Sequence, residues 1–360
     1  MEQLKSIVSH FIPDTKINSI EPYGNGHINT TYLVETDDGS YILQQINTKI
    51  FKDVDGLMNN IILVADHIRE KTQESGKDIA KATLFYLNAD NGKPYVLTDG
   101  GAYRVAKFID DTFTIEIMEN EEHFYKAGLA FGKFARMLSD FDASKLVETI
   151  KNFHNTASRY KDFEKAVRDD VKNRASDVAD EIAFVRKRKS FMNLFVRKLE
   201  NGRIPLRVTH NDTKLNNILF DKSTEKPVAV IDLDTVMPGS ILFDFGDAIR
   251  SGATHAAEDE RDLSKVDFDL NLYRAFARGY LEKCNRALTV SEIEMLPYSS
   301  IMLTLECGMR FLTDHLNGDT YFKIHRENHN LDRARTQFKL VKEMENHIDD
   351  LIDIINELAY

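Results

Sequence analysis

The 360-residue chain contains no tryptophan and only two cysteines, Cys284 and Cys307. Two such cysteines form neither a disulfide framework nor a zinc motif, so both are predicted to be reduced packing residues. No apolar run approaches the roughly 20 residues that a membrane-spanning helix needs. The first residues carry acidic and polar groups within a short apolar pattern, which is unlike a signal peptide. These absences predict a cytoplasmic protein.

Positive charge is scarce as well, because 47 basic residues stand against 58 acidic ones and give a net charge of −11. Nucleic acids and anionic membranes bind basic surfaces, so neither is expected as a partner. The loop G-x-x-x-x-G-K-[S/T] is absent, which excludes a P-loop nucleotide site. The length suffices for one large or two ordinary domains with substantial cores.

The most informative stretch lies between Val208 and Asp247. It contains two short apolar runs, Ile218–Phe220 and Val228–Ile231, on either side of a turn-rich segment. This pattern predicts a β-hairpin. Five polar side chains flank the hairpin: His210, Asp212, Asn217, Asp232 and Asp234.

The spacing of these residues predicts phosphoryl transfer. His210, Asp212 and Asn217 fit the H-x-D-x-x-x-x-N pattern of kinase catalytic loops. Asp232 follows Asp212 by 20 residues (232 − 212) and comes at the end of a predicted strand. A kinase needs one acidic group to orient the attacking hydroxyl and others to hold Mg²⁺ against the nucleotide phosphates. Asp212 is therefore the predicted base, with Asn217 and Asp232 as metal ligands.

A second motif nearby, Asp244-Phe245-Gly246, has the letters of the metal-binding D-F-G of protein kinases. It follows no predicted strand, and it lies 32 residues (244 − 212) after the predicted base. The metal is therefore assigned to Asp232. Asp244 is predicted to be a buried carboxylate that braces the catalytic loop.

The periodicity changes along the chain from strands to helices. A turn over Gly24, Asn25, Gly26, His27 and Asn29 separates two strand-like runs, and Tyr41–Ile46 reads as a third strand. Such a turn can lay backbone N–H groups over phosphates, but the turn taken alone favours a plain hairpin.

Helical patterns dominate beyond Thr114, and the last of them is predicted over Asp332–Leu358. The chain is predicted to be α+β, with a bilobal protein-kinase-like fold. Residues 1–109 form a small β-rich nucleotide-binding lobe, and residues 110–360 form a larger, mainly helical catalytic and substrate-binding lobe. An adenine ring is expected to pair with backbone groups of Phe108, Ile109 and Asp110.

Several blocks together resemble a known family. The central stretch V-T-H-N-D-T-K-L-N-N-I-L with I-D-L-D-T-V-M-P-G-S-I-L-F-D-F-G-D is similar to the aminoglycoside phosphotransferase and choline kinase-like superfamily. The blocks E-P-Y-G-N-G-H-I-N-T-T-Y-L-V and L-E-C-G-M-R-F-L-T-D-H-L-N-G-D-T-Y-F narrow the resemblance to the N-acetylhexosamine 1-kinase branch. The matching blocks extend from residue 21 to residue 322.

This resemblance implies ATP- and Mg²⁺-dependent phosphorylation of the anomeric hydroxyl of N-acetylglucosamine or N-acetylgalactosamine. It places sugar contacts on His27, Arg310 and Tyr321, beside Asp212 itself. It also implies that the turn beginning at Gly24 covers the phosphates. It assigns no role to Asp234 or Thr235, and it leaves the preferred epimer open. Besides ATP and the sugar, no partner is expected, and the protein is predicted to be a monomer or a simple homo-oligomer.

One position departs from the wider superfamily, since kinase-like folds usually carry a lysine on the third strand. Here Gln44 or Gln45 takes its place, and Gln44 is the predicted phosphate contact. A neutral amide can hydrogen-bond a phosphate but cannot neutralise it.

Three other functions stand beside the hexosamine kinase: another small-molecule kinase, a protein kinase and a non-catalytic pseudokinase. A homoserine kinase-like enzyme is the main alternative, while the absence of tryptophan disfavours a choline-binding aromatic cage. The missing H-R-D order disfavours a protein kinase. A non-catalytic pseudokinase agrees with the glutamine but not with the intact set of Asp212, Asn217 and Asp232.

Overall fold

The computed structural model describes residues 2–24, 28–116 and 120–360. In chain order its strands are β1 (Ile17–Pro22), β2 (Thr30–Thr36), β3 (Gly39–Ile46), β4 (Val96–Thr98), β5 (Gly101–Lys107), β6 (Thr112–Phe113), β7 (Arg207–Thr209), β8 (Ile218–Asp221), β9 (Pro227–Val230) and β10 (Met237–Gly239). Its α-helices are α1 (Glu2–Ser9), α2 (Val54–Glu74), α3 (Glu121–Met137), α4 (Thr156–Asp169), α5 (Ala179–Lys187), α6 (Lys189–Glu200), α7 (Ile241–Gly252), α8 (Leu270–Cys284), α9 (Val290–Asn317), α10 (His329–Asn346) and α11 (Ile348–Ala359). The predicted α+β class, with a β-sheet region first and a helical region after it, is confirmed.

The chain forms two compact units. Unit 1 comprises Met1–Thr114, Asp140–Lys151 and Ile218–Met237, and unit 2 comprises Ile115–Ser139, Asn152–Asn217 and Pro238–Tyr360. Two later segments of the chain thus join the N-terminal unit, so a single cut does not separate the units. The functional division into lobes of 1–109 and 110–360 stays a prediction.

Unit 1 is built on a five-stranded sheet with the order β1-β2-β3-β5-β4. Every neighbouring pair in it is antiparallel. One face carries a core that includes Ile7 and Val8 of α1, Val34 of β2 and Leu43 of β3. Burial of this apolar surface stabilises the sheet, because each fully buried aliphatic side chain contributes about 1.5–3 kcal/mol.

A buried asparagine explains why later segments belong to unit 1. The side chain of Asn60, on α2, donates to the carbonyl oxygens of Val147 (2.8 Å) and Val236 (2.9 Å). Its own oxygen accepts the N–H of Val147 at 2.9 Å. A buried amide needs these bonds, since an unsatisfied polar group costs about 1–3 kcal/mol. Asn60 therefore fastens both segments to α2.

Unit 2 is helical, and its closest helix pair is α3 with α8. A Cβ atom added at Gly128 or Gly132 would collide with backbone atoms of Phe276 or Tyr280, and one added at Gly279 would collide with the backbone of α3. The three glycines therefore let the helix backbones touch. The long helix α9 begins at a capping box formed by Thr289 and Glu292.

The predicted helix over Asp332–Leu358 is wrong in one respect, because the structure divides it into α10 and α11. The break falls at His347, which has φ −105° and ψ 14°. Its ring nitrogen Nδ1 lies 2.9 Å from a carboxylate oxygen of Asp350 in the first turn of α11. Within the described ranges, no helix is both long enough and apolar enough to cross a membrane.

Candidate active site

The catalytic-loop motif follows strand β7 in unit 2 and is held by one buried carboxylate. Asp244, in the first turn of α7, accepts the backbone N–H groups of His210 (2.9 Å) and Asn211 (2.8 Å). Its backbone oxygen accepts the hydroxyl of Thr213 at 2.9 Å. Burial raises the pKa of Asp244 to about 6, although the charge of His210 and the two N–H groups act to lower it. The predicted bracing role of Asp244 is confirmed.

The carboxylate of Asp212 is half-buried and has two side-chain neighbours within this loop. Lys214 Nζ lies 2.8 Å from Oδ1, and Asn217 Nδ2 donates to Oδ2 at 2.9 Å. The same Asn217 nitrogen also donates to the backbone oxygen of Asp212 at 2.9 Å. This arrangement fixes the carboxylate in one orientation, as a group that aligns a substrate hydroxyl must be fixed.

Lys214 is a residue that the sequence analysis missed. Desolvation acts to lower the pKa of its ammonium group, but the charge and hydrogen bond of Asp212, together with the charge of Asp247, raise this pKa overall. The signal available in the sequence was a lysine, Lys214, two residues after the predicted base Asp212. Lys214 places positive charge beside the Asp212 carboxylate, which is predicted to orient the attacking hydroxyl.

The predicted hairpin is confirmed in unit 1 as β8 paired with β9. Asp232 follows it with φ 58° and ψ 60°, a left-handed backbone conformation that costs a non-glycine residue about 1–3 kcal/mol. Asp232 is exposed, whereas Asp234, in the short 3₁₀ turn that follows, is buried. The turn therefore presents one carboxylate to the solvent and withdraws the other.

The chemistry of these donors suits magnesium. Because Asn217 uses its nitrogen to bond Asp212, its carbonyl oxygen is the end left over for a cation. Among the described residues, no cluster of three or more His, Cys, Asp or Glu side chains could hold a metal by itself. Mg²⁺ is commonly held by only one or two carboxylates together with substrate phosphates. Asp232 in unit 1 offers a carboxylate, and Asn217 in unit 2 offers an amide oxygen; each is a type of ligand that Mg²⁺ accepts.

The predicted nucleotide residues that can be described lie in unit 1. Gly24 has φ +73°, a conformation that favours glycine, and the ring of the preceding Tyr23 packs edge-on against Phe108 with centroids 5.9 Å apart. The N–H of Phe108 is bonded to Ser40 (3.0 Å), and the oxygen of Ile109 accepts the hydroxyl of Thr112 (2.7 Å).

The contact between Tyr23 and Phe108 brings the start of the turn close to the segment that is predicted to bind adenine. Asp110, the third residue of that segment, is exposed. Asn25, Gly26 and His27 lie outside the described residues.

Asn29 and Gln44 have side-chain partners within unit 1 itself. Asn29 donates to Asp234 Oδ2 at 2.5 Å and accepts the N–H of Asn47 at 3.0 Å. The oxygen of Gln44 accepts two bonds from Arg104 (3.0 and 2.9 Å), and its nitrogen donates to Thr31 (3.1 Å). The predicted phosphate contact through Gln44 thus competes with bonds that already occupy both ends of the amide.

The predicted sugar residues Arg310 and Tyr321 line one cavity of about 370 Å³ in unit 2. The Arg310 guanidinium lies 5.6 Å from the ring centre of Phe153, 5.9 Å from that of Tyr321 and 5.5 Å from that of Phe322. Within the described part of the chain, no hydrogen bond or ion pair engages this guanidinium. Tyr321 is 68% exposed, so it is not a core residue.

The carboxylate of Asp314 holds the loop that carries Tyr321. Asp314 accepts the backbone N–H groups of Thr320 (2.9 Å), Tyr321 (2.8 Å) and Phe322 (2.9 Å). It also accepts the side-chain amide of Asn330 at 2.9 Å, and it is buried. These four bonds fix the position of the tyrosine at the edge of the cavity.

Arg159 is a second cavity arginine that the sequence analysis missed. Its Nε–H is buried without a hydrogen-bond partner among the described residues. Burial lowers the pKa of Arg159, and the charge of Arg310 lowers it further. No local motif surrounds Arg159 in the sequence, so nothing there distinguished it from the other arginines of a charged helix.

A buried acid lies one helical turn before Arg310. Glu306 Oε1 is 2.7 Å from Nδ1 of His154, and both side chains are buried. Burial alone would raise the pKa of Glu306, but His154, Arg310 and Arg159 together lower it. The ionised carboxylate therefore balances part of the positive charge of the cavity.

The structure thus groups the predicted site residues in two sets. Asp212, Asn217, Arg310 and Tyr321 belong to unit 2. Gly24, Asn29, Gln44, the segment 108–110 and Asp232 belong to unit 1.

Comparison with known proteins identifies the chain at the family level. Residues 19–281 match the model of the phosphotransferase enzyme family. Among solved structures, an aminoglycoside phosphotransferase from Alicyclobacillus acidocaldarius subsp. acidocaldarius DSM 446 aligns over 98% of this chain and 96% of its own, with a TM-score of 0.64 and 15% identity. A microcompartment-associated aminopropanol kinase aligns over 98% of both chains, with a TM-score of 0.61 and 16% identity.

A spectinomycin phosphotransferase, solved with ADP and spectinomycin, aligns over 99% of this chain and 98% of its own, with a TM-score of 0.53 and 14% identity. At these identities the likeness concerns the fold, which is therefore protein-kinase-like as predicted. The family model covers most of the chain, and the protein accordingly belongs to the phosphotransferase enzyme family, as a small-molecule kinase.

Proposed function

We propose that this kinase transfers the γ-phosphoryl group of ATP to the anomeric C1 hydroxyl of an N-acetylhexosamine, with Mg²⁺. The products are the sugar 1-phosphate and ADP. Family membership supports the reaction type. The choice of sugar rests on the sequence blocks that resemble the N-acetylhexosamine 1-kinase branch and on the cavity that holds Arg310 and Tyr321.

The observation that carries the proposal is the state of Arg310. Its guanidinium lines the cavity among three aromatic rings and has no polar partner among the described residues. Guanidinium groups are strong hydrogen-bond donors, and aromatic rings cover the apolar faces of small ligands. The acetamido oxygen and ring hydroxyls of an N-acetylhexosamine can accept hydrogen bonds from the guanidinium, and the C–H faces of the sugar ring can pack on the aromatic rings.

Asp212 is the proposed catalytic residue. The sugar oxygen attacks the γ-phosphorus, the bond to ADP breaks, and the hydroxyl proton passes to a carboxylate oxygen of Asp212. A hemiacetal hydroxyl is acidic for an alcohol, so Asp212 acts mostly by orienting it and accepts the proton late. Lys214, which pairs with Asp212, supplies positive charge on the same loop.

Most of the proposed nucleotide-binding groups lie in unit 1, and one proposed metal ligand, Asn217, lies in unit 2. The turn from Gly24 to Asn29 covers the phosphates through its backbone, and the segment 108–110 pairs with the adenine ring. Asp232 and Asn217 are the proposed ligands of Mg²⁺, which would neutralise phosphate charge when bound. His27, named by the family resemblance, is the further proposed sugar contact.

A second candidate has one observation in its favour. Two arginines, Arg159 and Arg310, line the same cavity, and their charges lower the pKa of Glu306. Paired guanidinium groups also suit a carboxylate. An amino-acid alcohol of the homoserine type is therefore the alternative acceptor substrate.

One assay, which measures Mg²⁺-dependent ADP release, distinguishes the two candidate acceptor substrates. The panel contains N-acetylglucosamine, N-acetylgalactosamine, homoserine and choline, and each product is analysed for the position of the phosphate. The proposal expects turnover with the N-acetylhexosamines and phosphate on the anomeric carbon. Turnover with homoserine alone would replace the sugar by the alternative substrate. Nucleotide binding without turnover of any acceptor would favour a pseudokinase.

A further inference from the structure

Gln44 occupies the place of the third-strand lysine, but positive charge is present one strand away. Arg104 lies on β5 directly opposite Gln44 in the antiparallel register. Its Nε and Nη2 donate to the Gln44 oxygen at 3.0 and 2.9 Å, and Nη1 contacts the sulfur of Met58 at 3.7 Å. The side chain is only 1% exposed, so this cation cannot serve as a direct ligand of a phosphate group.

The same guanidinium reaches the turn that carries the proposed metal ligand. Arg104 Nη2 lies 2.6 Å from Oδ1 of Asp234, and the Asp234 side chain is 4% exposed. Asp234 follows Asp232 by two residues, within the 3₁₀ turn Leu233–Thr235. A buried ion pair of this kind holds a short turn far more firmly than a surface pair, because no water competes for either charge.

The other oxygen of Asp234 holds the end of the proposed phosphate-binding turn. Asn29 Nδ2 donates to Asp234 Oδ2 at 2.5 Å, and Asn29 Oδ1 accepts the N–H of Asn47, just beyond β3. One buried carboxylate therefore contacts Arg104 on one side and Asn29 on the other. We name the four side chains of Asn29, Gln44, Arg104 and Asp234 the arginine network.

The arginine network also explains how Asp232 keeps its unfavourable backbone. Asp232 has left-handed φ and ψ angles, which an L-residue adopts only when its surroundings impose them. Leu233 on its C-terminal side is fully buried, and Asp234 is fixed by Arg104 and Asn29. With those two residues held, the Asp232 carboxylate stays exposed.

From these contacts we infer that Arg104, acting through Asp234, is a positioning residue for the proposed kinase reaction. It fixes the Asp232 turn and the Asn29 end of the phosphate turn in one arrangement. In this chain a buried cation stands on β5, opposite Gln44 of β3, and supports the residues proposed to surround the nucleotide instead of contacting the nucleotide. The inference deepens the proposed function and rests on the metal role assigned to Asp232.

The test measures how strongly Mg²⁺ promotes nucleotide binding. ADP affinity is determined by titration calorimetry with and without Mg²⁺ for the wild type and for Asp234→Asn, which keeps the shape but removes the charge. We expect Asp234→Asn to weaken the Mg²⁺-dependent gain in ADP affinity by about 10- to 100-fold, the usual effect of losing a group that orients a metal ligand. ADP affinity without Mg²⁺ should change much less.

Asn29→Ala is the second variant, because it removes one bond and leaves the buried ion pair intact. Asn29→Ala should also weaken the Mg²⁺-dependent gain in ADP affinity, but by a smaller factor than Asp234→Asn. This variant tests the inference even if Asp234→Asn folds poorly. Glu292→Gln is the matched control, since it breaks the buried pair of Arg207 and Glu292 in unit 2 (2.9 Å). It should lower stability without altering the Mg²⁺-dependent gain.

Asp232→Asn tests the metal role of Asp232 separately from the positioning role of Arg104 and Asp234. If Asp232→Asn abolishes the Mg²⁺-dependent gain while folded Asp234→Asn and Asn29→Ala retain it, the positioning role is overturned and the metal role of Asp232 stands. If Asp232→Asn also retains the gain, the metal assignment fails, and the inference fails with it.

Discussion

Arg104 in unit 1 is buried, whereas Arg310 in unit 2 is half-buried in the wall of a cavity, and the two arginines differ in their partners. All three nitrogens of Arg104 have neighbours, on Gln44, Met58 and Asp234. The guanidinium of Arg310 has aromatic rings around it and no polar partner within the described chain. A buried charge is costly unless it is paired. The paired arginine therefore supports the fold, and the unpaired one is available to a ligand.

The carboxylates of unit 2 show the same contrast. Asp244 is buried, and its oxygens accept two backbone N–H groups of the catalytic loop. Asp212 is half-buried, and among the described residues its carboxylate pairs with the exposed Lys214 and accepts the amide of Asn217. The comparison teaches that burial alone does not identify a functional group. What distinguishes Arg310 is hydrogen-bonding capacity that no other group among the described residues occupies.

The largest effect is expected on the rate, from Asp212→Asn. We expect kcat to fall by roughly 10²- to 10⁴-fold, the range for loss of a general base, while sugar and ATP binding stay nearly unchanged. Stability should change by no more than about 1 kcal/mol, because the pair with Lys214 is partly exposed. Steady-state kinetics and urea unfolding measure both quantities. Asp262→Asn, an exposed carboxylate of the same unit, is the control, and a wild-type kcat for Asp212→Asn would remove this residue from the mechanism.

The next largest effect is expected on stability instead of on the rate, and it comes from Arg104→Met. Arg104→Met should lower the free energy of unfolding by about 3–5 kcal/mol, since it leaves the Asp234 carboxylate buried and unpaired. The double variant Arg104→Met/Asp234→Asn should recover part of this loss, because no charge then remains buried. Urea unfolding of the three proteins tests the prediction. A loss for Arg104→Met within about 1 kcal/mol, as for a surface pair, would break the comparison.

A third prediction concerns pH and Asp244. Its pKa is about 6 in the folded protein, against about 3.9 in an unfolded chain. The folded state therefore binds this proton more tightly, so the stabilising contribution is complete below about pH 4 and is lost as the pH rises through about 6. A shift of two units corresponds to roughly 3 kcal/mol.

The stability of the wild type relative to Asp244→Asn should thus fall by about that amount between pH 4 and pH 7. Unfolding of both proteins across this range measures the difference. A difference that does not vary with pH would show that the carboxyl group titrates normally.

The smallest effect on stability is expected at Arg310. Arg310→Ala should change the free energy of unfolding by no more than about 0.5 kcal/mol. The KM for the sugar should rise by roughly 10- to 100-fold, because a charged donor contributes about 1.5–3 kcal/mol to a hydrogen bond. Arg278→Ala is a matched control, since Arg278 also lies over an aromatic ring, that of Tyr125 at 4.3 Å, but outside the cavity. An unchanged sugar KM for Arg310→Ala would refute its role in binding.

The sequence predicts those parts of the fold and site whose signals are local. The hairpin of β8 and β9 follows from two apolar runs and a turn, and the bracing role of Asp244 follows from its position after the catalytic loop. The division between α10 and α11 has no such signal, because His347 is neither glycine nor proline. At the break, the His347 ring contacts the carboxylate of Asp350 in the first turn of α11.

The arginine network was beyond sequence reasoning for a different reason. Asn29 and Asp234 are separated by 205 positions along the chain, and Gln44 and Arg104 by 60. No periodicity links residues at such distances, and a lone arginine in an apolar run gives no indication of its partner. Arg159 was missed similarly, since only the folded chain brings it to the cavity of Arg310.

The attachment of the 320–322 loop to Asp314 has a consequence for how substrate preference can diverge. The carboxylate accepts backbone N–H groups, which every residue except proline provides, so these three bonds do not depend on the identities of the loop's side chains. Replacements at Tyr321 and its neighbours can therefore change the wall of the cavity while its scaffold stays in place. Asp314 makes this loop a natural starting point for laboratory evolution toward new acceptors, and Asp314 itself is the position that such a library should leave untouched.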